Sequence, residues 1–169
     1  QRSKRVNGFV KEFEKEGLKE HVIIKAADES IDSRIPRMDT EYSMGYQLTM
    51  ELLQEGRQFT AIAGQNDMMA IGALDALHEA KVHVPKDVSV IGCDNIFYSS
   101  IRRISLTTID HFVALKGQDA CDIILRKIDT RERALTDSAP ISLYNIEYTP
   151  KLISRRTTGY ARTRKNPAG

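Results

Sequence analysis

Short β-branched runs alternate with segments of helical periodicity through the middle of this chain, and this alternation restricts its fold more than any other feature. The strand-like runs are 59–63, 88–91 and 105–109. The segments with apolar residues at three- and four-residue spacing are 41–55, 68–80 and 112–128. Parallel strands need crossover connections, which run right-handed and place helices over the sheet. The pattern therefore predicts an α/β fold, a parallel sheet with helices on both faces.

The two ends of the chain are less regular than its middle. Ser3 precedes the segment 4–16, whose apolar residues recur at helical spacing, and Gly17 follows it. Such a segment is typical of a capped helix with a glycine stop. The other predictions are a strand at 21–25, a polar loop at 28–40, a charged loop at 129–140, and late strands at 141–148 and 152–154.

Composition excludes several classes of protein. The 169 residues, 41% of them hydrophobic and 28% charged, suffice for one domain or two small lobes with a packed core. A disordered polyampholyte and a disulfide-stapled mini-protein are both excluded. The formal net charge of +2 provides no general attraction to nucleic acid, membranes or acidic substrates. Most of the basic excess lies within residues 151–165, where it is typical of a solvated tail.

Cysteine usage and hydropathy indicate a compartment. Cys93 and Cys121 fit no paired pattern, which suits a reducing environment. No apolar run has the length of a transmembrane helix, and the N-terminal residues lack the apolar stretch of a secretion signal. We therefore expect a cytoplasmic protein. Because the first residue is Gln1, the sequence also favours a piece of something longer.

A search for catalytic and cofactor motifs finds none. No strand is followed by G-x-G-x-x-G or by a P-loop, and no G-x-S-x-G nucleophile turn occurs. No two of the four histidines have the i,i+4 spacing that lets one helix face bind zinc; they are His21, His78, His83 and His111. We therefore expect no catalytic residue, no metal and no cofactor.

Polar residues follow two of the predicted strands, and open parallel sheets bind ligands at the carboxyl ends of their strands. Asn66 and Asp67 follow the first strand and open the next helix, where Asp67 is predicted to be the N-cap. Asn66 suits a ligand contact and a structural role equally. Asp94 and Asn95 follow the second strand, and a turn bonded to its own backbone and a ligand site both remain open there.

Three longer motifs carry a resemblance to a known family. They are Asn-Asp-Met-Met-Ala-Ile-Gly-Ala-Leu at 66–74, Val-Pro-x-Asp-Val-Ser-Val-Ile-Gly-x-Asp at 84–94, and Leu-Thr-Thr-Ile at 106–109. With Ser-x-Arg-x-x-Gly-Phe at 3–9, Tyr-x-x-Gly-Tyr at 42–46 and the run at 150–159, they cover nearly the whole chain. The chain thus resembles the lac repressor/galactose repressor family of bacterial transcription regulators.

The resemblance implies a sensor of the periplasmic-binding-protein type, with two Rossmann-like lobes joined by a hinge and preceded by a helix-turn-helix head. The expected division is mainly the second lobe at 1–110, a segment crossing to the first lobe at 111–148, a return at 149–160 and a tail at 161–169. The head and most of the first lobe are expected to precede this chain. The implied function is binding of a small effector, a sugar or related metabolite, that controls DNA binding. The implied partners are that effector, a second copy in a homodimer, and operator DNA only through the head.

Carried over position by position, the resemblance implies that Arg5, Asn66 and Asp94 contact the effector. Their donor, mixed and acceptor groups suit sugar hydroxyls, which both donate and accept hydrogen bonds. His111, which also fits a partly exposed strand end, and Tyr42, near the rim, are further candidates. The sequence departs from the family where Asn95 replaces a common second Asp and Cys93 replaces a bulky residue.

Two other functions remain open at this point. An exported sugar-binding protein of a transport system uses the same lobes, although no secretion signal is found. An enzyme that uses Asp67 or Asp94 with His111 as acid and base is the second alternative.

Overall fold

A computed structural model describes residues 2–26, 37–134 and 145–161 of the chain. Within them lies one four-stranded sheet with its strands in sequence order; they are β1 (Ala61–Ala63), β2 (Ser89–Cys93), β3 (Thr107–Asp110) and β4 (Lys151–Ile153). The first three strands are parallel, and β4 runs antiparallel to β3. The sheet confirms the predicted α/β class, with one antiparallel edge strand added to a parallel sheet.

Five α-helices accompany this sheet in the described residues. They are α1 (Arg2–Lys15), α2 (Arg37–Gln54), α3 (Asp67–Glu79), α4 (Phe97–Ser100) and α5 (Val113–Ala134). All four predicted helices are confirmed, while the short α4 is not predicted. Two bounds are wrong: α2 begins within the predicted loop 28–40, and α5 continues into the predicted loop 129–140 because its charged residues are good helix formers.

Two predicted strands differ from the structure. Residues 19–21 form a 3-10 turn and residues 22–26 pair with no strand, so the predicted strand 21–25 is wrong. Ile24 is 58% exposed there, and Lys25 instead binds Glu51 of α2 and Glu55, which directly follows that helix. A β-branched run forms a strand only where a sheet edge accepts it. The late strand 141–148 is also absent from its described part, 145–148, while residues 135–144 lie outside the described ranges.

The core lies between α3 and the sheet. Its buried members come from α3, from the strands and from the residues just before the strands; they are Ala70, Ile71, Leu77, Val88, Val90 and Leu106. Helix α3 packs on its other side against α2, and two glycines bring the backbones together. A β-carbon at Gly72 would lie 2.0 Å from the Tyr42 carbonyl oxygen, and one at Gly45 would lie 2.0 Å from that of Met69. Backbone contact of this kind excludes any side chain at either position.

Helix α5 differs from the other long helices because much of its apolar surface remains in water. Its exposed apolar side chains include Val113 (55%), Ile124 (57%), Leu125 (60%) and Ile128 (49%). Tyr148 contacts this helix: its hydroxyl donates to Asp119, and the Lys116 ammonium lies 5.3 Å from its ring centroid. An amphipathic helix with its apolar face in water has a surface that can be buried against another protein layer.

The close contact between α2 and α3 gives a stability prediction. Gly72→Ala should lower the free energy of unfolding by about 1–3 kcal/mol because the new methyl group overlaps backbone atoms. Gly8→Ala in α1 is the matched control: nothing lies within 4 Å of its β-carbon position, and alanine should stabilise that helix by up to about 1 kcal/mol. Urea unfolding of both variants measures the difference. Equal stabilities would contradict the close packing of α2 on α3.

Candidate functional site

The candidate site lies where the parallel strands end. Strands β1, β2 and β3 run in the same direction, so the residues that follow them share one edge of the sheet. The residues after β1 are Gly64 to Asn66, Asp94 follows β2, and His111 follows β3. Arg5 reaches the same edge from α1, where its Nη1 donates to the Gln65 carbonyl oxygen at 3.0 Å.

Asp94 is the centre of this cluster. Its Oδ1 lies 3.2 Å from Arg5 Nη2 and 2.8 Å from His111 Nε2. On the other side of the imidazole, Lys116 Nζ lies 3.3 Å from Nδ1. An ammonium has no acceptor, so Nδ1 accepts and Nε2–H donates to Asp94. Arg5 and His111 therefore both donate to one carboxylate oxygen, which fixes its orientation.

A cleft of about 720 Å³ opens over this cluster. Its polar lining is Arg5, Asp94, Asn95, Asp110 and His111, and its apolar lining is Ile96, Val113 and Ala114. A smaller pocket of about 360 Å³ shares Asp94 and Ile96 with it and includes Asn66 and the aromatic pair Phe97 and Tyr98. The two form one crevice with charged, amide and apolar surfaces.

The predicted site residues do not all lie on the main cleft. The structure brings Arg5, Asp94 and His111 together there, whereas Asn66 lines the smaller pocket. Tyr42 is not brought to either pocket. It lies between α2 and α3, where its hydroxyl donates to Asp75 at 2.5 Å, and this hydrogen bond raises the pKa of Tyr42 to about 12.

The residue that caps α3 is Asn66 and not the predicted Asp67. Asn66 is the N-cap of α3, since its Oδ1 accepts from the Met69 backbone N–H at 2.9 Å. The predicted cap, Asp67, is instead fully buried and accepts from Ile96 N, Ser99 Oγ and Thr108 Oγ1. Both residue types cap helices well, and the sequence does not indicate which of two neighbours turns inward.

The buried Asp67 carboxylate supports the turn that carries Asp94. Its Oδ2 accepts from Ile96 N at 2.9 Å, just beyond that turn, and Gly92 leaves the space for Oδ1 because a β-carbon there would lie 2.2 Å away. Asp94 and Asn95 have φ values of 116° and 50°, in the left-handed region. Asn and Asp tolerate that region better than most residues do. The turn is thus formed by two residues that tolerate positive φ, and it is held by the Asp67 carboxylate, a support that we call the brace.

A second polar network, which the sequence analysis does not identify, borders the cleft. Asn95 Nδ2 donates to Asp110 Oδ2 at 3.0 Å, and Arg155 Nη2 donates to Asn95 Oδ1 at 2.7 Å. The Phe112 backbone N–H, which donates to Asp110 Oδ1, and the Asn95 amide lower the pKa of Asp110. The sequence signals for this network are Asn95, which follows the second strand, and Arg155, which lies in the last motif.

Three possible metal ligands also meet here. One ligand atom each from Cys93, Asp94 and His111 lies within 4.8 Å of the others. The Arg5 guanidinium, 3.2 Å from Asp94, opposes a second cation at this place. Burial raises the pKa of the Cys93 thiol to about 11, so the thiolate that binds metals is scarce at neutral pH. The positive charge of Arg5 therefore disfavours a metal ion at this cluster.

Comparison with known proteins shows the family of this chain. Residues 1–158 match the family of periplasmic binding protein-like domains. The chain belongs to this family. The transcriptional regulator GalR of Escherichia coli is 33% identical over 119 residues, 70% of this chain and 32% of the regulator. The chain corresponds to the effector-binding portion of a LacI-family regulator.

Solved structures give the same result. A LacI family transcriptional regulator from Enterococcus faecalis with bound ribose is 29% identical, with a TM-score of 0.57 over 69% of this chain and 40% of its own. The dimeric Lac repressor with an 11-residue C-terminal deletion is 31% identical, with a TM-score of 0.57 over 72% of this chain and 41% of its own. The chain therefore spans less than half of these relatives. None of its described helices is long and apolar enough to cross a membrane.

The environment of Cys93 gives a prediction for thiol labelling. A pKa of about 11 leaves about one thiolate per thousand molecules at pH 8, and this fraction rises tenfold per pH unit. Iodoacetamide should therefore label Cys93 slowly at pH 8 and much faster at pH 10. Cys121 is exposed and serves as the internal control. Mass spectrometry of the digested protein measures both rates, and rapid labelling of Cys93 at pH 8 would contradict its protected environment.

The brace formed by Asp67 gives a stability prediction. Asp67→Asn replaces one acceptor by a donor among three donors, so the free energy of unfolding should fall by roughly 1–3 kcal/mol. Asp122→Asn, an exposed position on α5, makes the same chemical change without a buried network and should have almost no effect. Urea unfolding at pH 7 compares the two, and an Asp67→Asn variant as stable as the Asp122→Asn variant would disprove the brace.

Proposed function

We propose that this chain is the effector-sensing part of a bacterial transcriptional repressor that binds a sugar in the cleft above Asp94. The convergence of Arg5, Asp94 and His111 at the carboxyl edge of the sheet is the observation that carries the proposal. A sugar hydroxyl donates to a carboxylate and accepts from a guanidinium, so the pair offers both halves of its hydrogen bonding. Ile96, Val113 and Ala114 offer apolar contact to the ring carbons.

Two comparisons support this ligand class and protein class. The Enterococcus faecalis relative was solved with bound ribose, which supports a sugar as the effector. The Escherichia coli relative is a transcriptional regulator, which supports a regulator, without catalysis of its own, over the sugar-binding protein of a transport system. A regulator of this kind acts on DNA in the cytoplasm, and the dimeric Lac repressor supports a homodimer.

The division of the chain into lobes is part of the proposal. In this proposal residues 1–110 belong to the second lobe, 111–148 to the crossing toward the first lobe, 149–160 to the return and 161–169 to a tail; residues 27–36, 135–144 and 162–169 lie outside the described ranges. The antiparallel return of β4 beside β3 supports this division, as does the apolar surface of α5 that the described residues leave uncovered. The first lobe would then close over the cleft and complete the effector contacts.

The mechanism follows from ligand linkage. A sugar that contacts both lobes binds the closed arrangement more tightly than the open one and shifts the population toward closure. Closure changes the spacing of two helix-turn-helix heads in the dimer and thereby their affinity for operator DNA. The coupling cannot exceed the difference in sugar affinity between the two arrangements.

The decisive experiment is a ligand panel on the full regulator that contains this chain. Thermal shift and calorimetry with ribose, galactose, phosphorylated sugars and purines should identify a sugar. Arg5→Ala and Asp94→Ala should each weaken its binding by about 10- to 100-fold, since each removes a charge-assisted hydrogen bond.

Two exposed residues of the same types supply matched controls. Arg57→Ala, three residues beyond the end of α2, and Asp122→Ala on α5 should leave the sugar affinity unchanged. A sugar bound equally well by the Arg5→Ala, Asp94→Ala and control variants would show that the effector lies elsewhere. Tight binding of a purine and of no sugar would keep the site and change the ligand class.

A further inference from the structure

The Asn95 side chain joins two parts of the chain that are far apart in sequence. Its Oδ1 accepts from Arg155 Nη2 at 2.7 Å, and its Nδ2 donates to Asp110 Oδ2 at 3.0 Å. All three side chains are half-buried. Asn95 itself directly follows Asp94, the centre of the effector cluster. One carboxamide therefore connects the Asp94 turn to both Asp110 and Arg155.

The two bonds have opposite polarity, and this restricts the residue type. A guanidinium only donates and an ionised carboxylate only accepts, so the residue between them must accept on one side and donate on the other. An aspartate at position 95 would satisfy Arg155 but would face Asp110 with a second carboxylate. Asparagine meets both needs and also tolerates the φ of 50° found here.

The partners of Asn95 lie on either side of the connection from β3 to β4, which we call the excursion; it is residues 111–150, of which 111–134 and 145–150 are described. Asp110 ends β3, and its Oδ1 accepts from the Phe112 N–H at the start of the excursion, at 2.7 Å. Arg155 lies just after β4, where its backbone N–H donates to Thr107 Oγ1 and its Nη1 donates to the Leu106 carbonyl oxygen. We call residues 110–112 the exit segment and residues 151–158 the return segment.

Asn95 and Asp110 also line the main cleft. A ligand there therefore meets the same groups that hold the exit segment. A ligand hydroxyl that hydrogen-bonds to Asp110 or to the Asn95 amide competes with the bond between these two side chains. The Asn95–Arg155 bond is then affected as well, because both bonds orient the same carboxamide. A change in cleft occupancy thus reaches both segments through one side chain.

From this geometry we infer that Asn95 is a positioning residue, which holds the Asp94 turn against the exit and return segments and couples the cleft to both. The bridge itself depends only on the contacts within this chain. Its consequence for effector binding rests on the proposed function above. The test therefore has one measurement without ligand and one with ligand.

The key variant is Asn95→Asp, tested with its rescue Asn95→Asp/Asp110→Asn. The single variant places two carboxylates about 3.0 Å apart, whereas the double variant restores the bond with donor and acceptor exchanged. The double variant also keeps an acceptor for Phe112 N–H. Asn95→Asp/Asp122→Asn has the same net charge as the rescue but leaves Asp110 unchanged, and it is the matched control.

Hydrogen exchange measured by mass spectrometry gives the first readout. At pH 8, Asn95→Asp should speed exchange in peptides covering 93–100 and 151–158 by about tenfold, relative to wild type at the same pH. The effect should shrink toward pH 5, because the carboxylate pair then shares a proton. The other charged and titratable groups nearby, Arg155, Lys151 and the Asp94 cluster of Arg5 and His111, are identical in all variants.

The rescue decides the inference. Wild-type exchange in the double variant, with fast exchange in the charge-matched control, supports the bridge. Unchanged exchange in Asn95→Asp at pH 8, or no recovery in the double variant, overturns it. If Asn95→Asp does not fold, the double variant must still fold and exchange like the wild type, and its failure overturns the inference equally.

Calorimetry with D-ribose and D-galactose, each measured separately on the full regulator, gives the second readout. A sugar that binds the wild type should bind Asn95→Asp about tenfold more weakly and the double variant normally. The expected exchange pattern without any sugar binding supports the bridge and contradicts the proposed function. Sugar binding with no change of exchange or affinity in Asn95→Asp supports the function and overturns the inference.

Discussion

The buried carboxylate of Asp67 holds the functional edge of this sheet in place. A carboxylate without contact to water is costly unless its oxygens are hydrogen-bonded, and here Ile96, Ser99 and Thr108 supply the donors. Ile96 caps α4, Ser99 lies within α4 and Thr108 lies on β3, so one side chain fixes both α4 and β3 relative to α3. The Asp94 turn lies between β2 and α4, and the effector contacts proposed for Asp94 depend on where that turn is held.

Local patterns in the sequence predict the part of the structure that local physics determines. The alternation of strands and helices gives β1, β2, β3 and the long helices, and parallel strands then bring Asp94 and His111 to one edge. The run at 21–25 fails as a strand because strand formation requires a neighbouring edge, which the run itself does not encode. The end of α5 fails as a loop because a charged segment is as compatible with a helix as with a turn.

The site shows the same limit. The resemblance points to Arg5, Asp94 and His111; the contact between Asp94 and His111 follows from the order of the strands, whereas Arg5 reaches them from α1. Asn66 caps α3 in place of the predicted Asp67, which is buried, because burial depends on which neighbour faces β3. The bridge from Asn95 to Arg155 joins residues 60 positions apart, so only the folded chain reveals it. Tyr42 keeps its place in a matching motif but contacts Asp75 between two helices.

The exposed aliphatic side chains of α5 have a practical consequence. If this chain were expressed alone in a cell, α5 would expose a row of apolar side chains. Chaperones and proteases recognise such surfaces in incompletely assembled proteins. The yield and solubility of the isolated polypeptide would then depend on temperature and concentration more than on the stability of its folded sheet. Co-expression with a covering polypeptide would improve recovery without altering a single residue of the cleft.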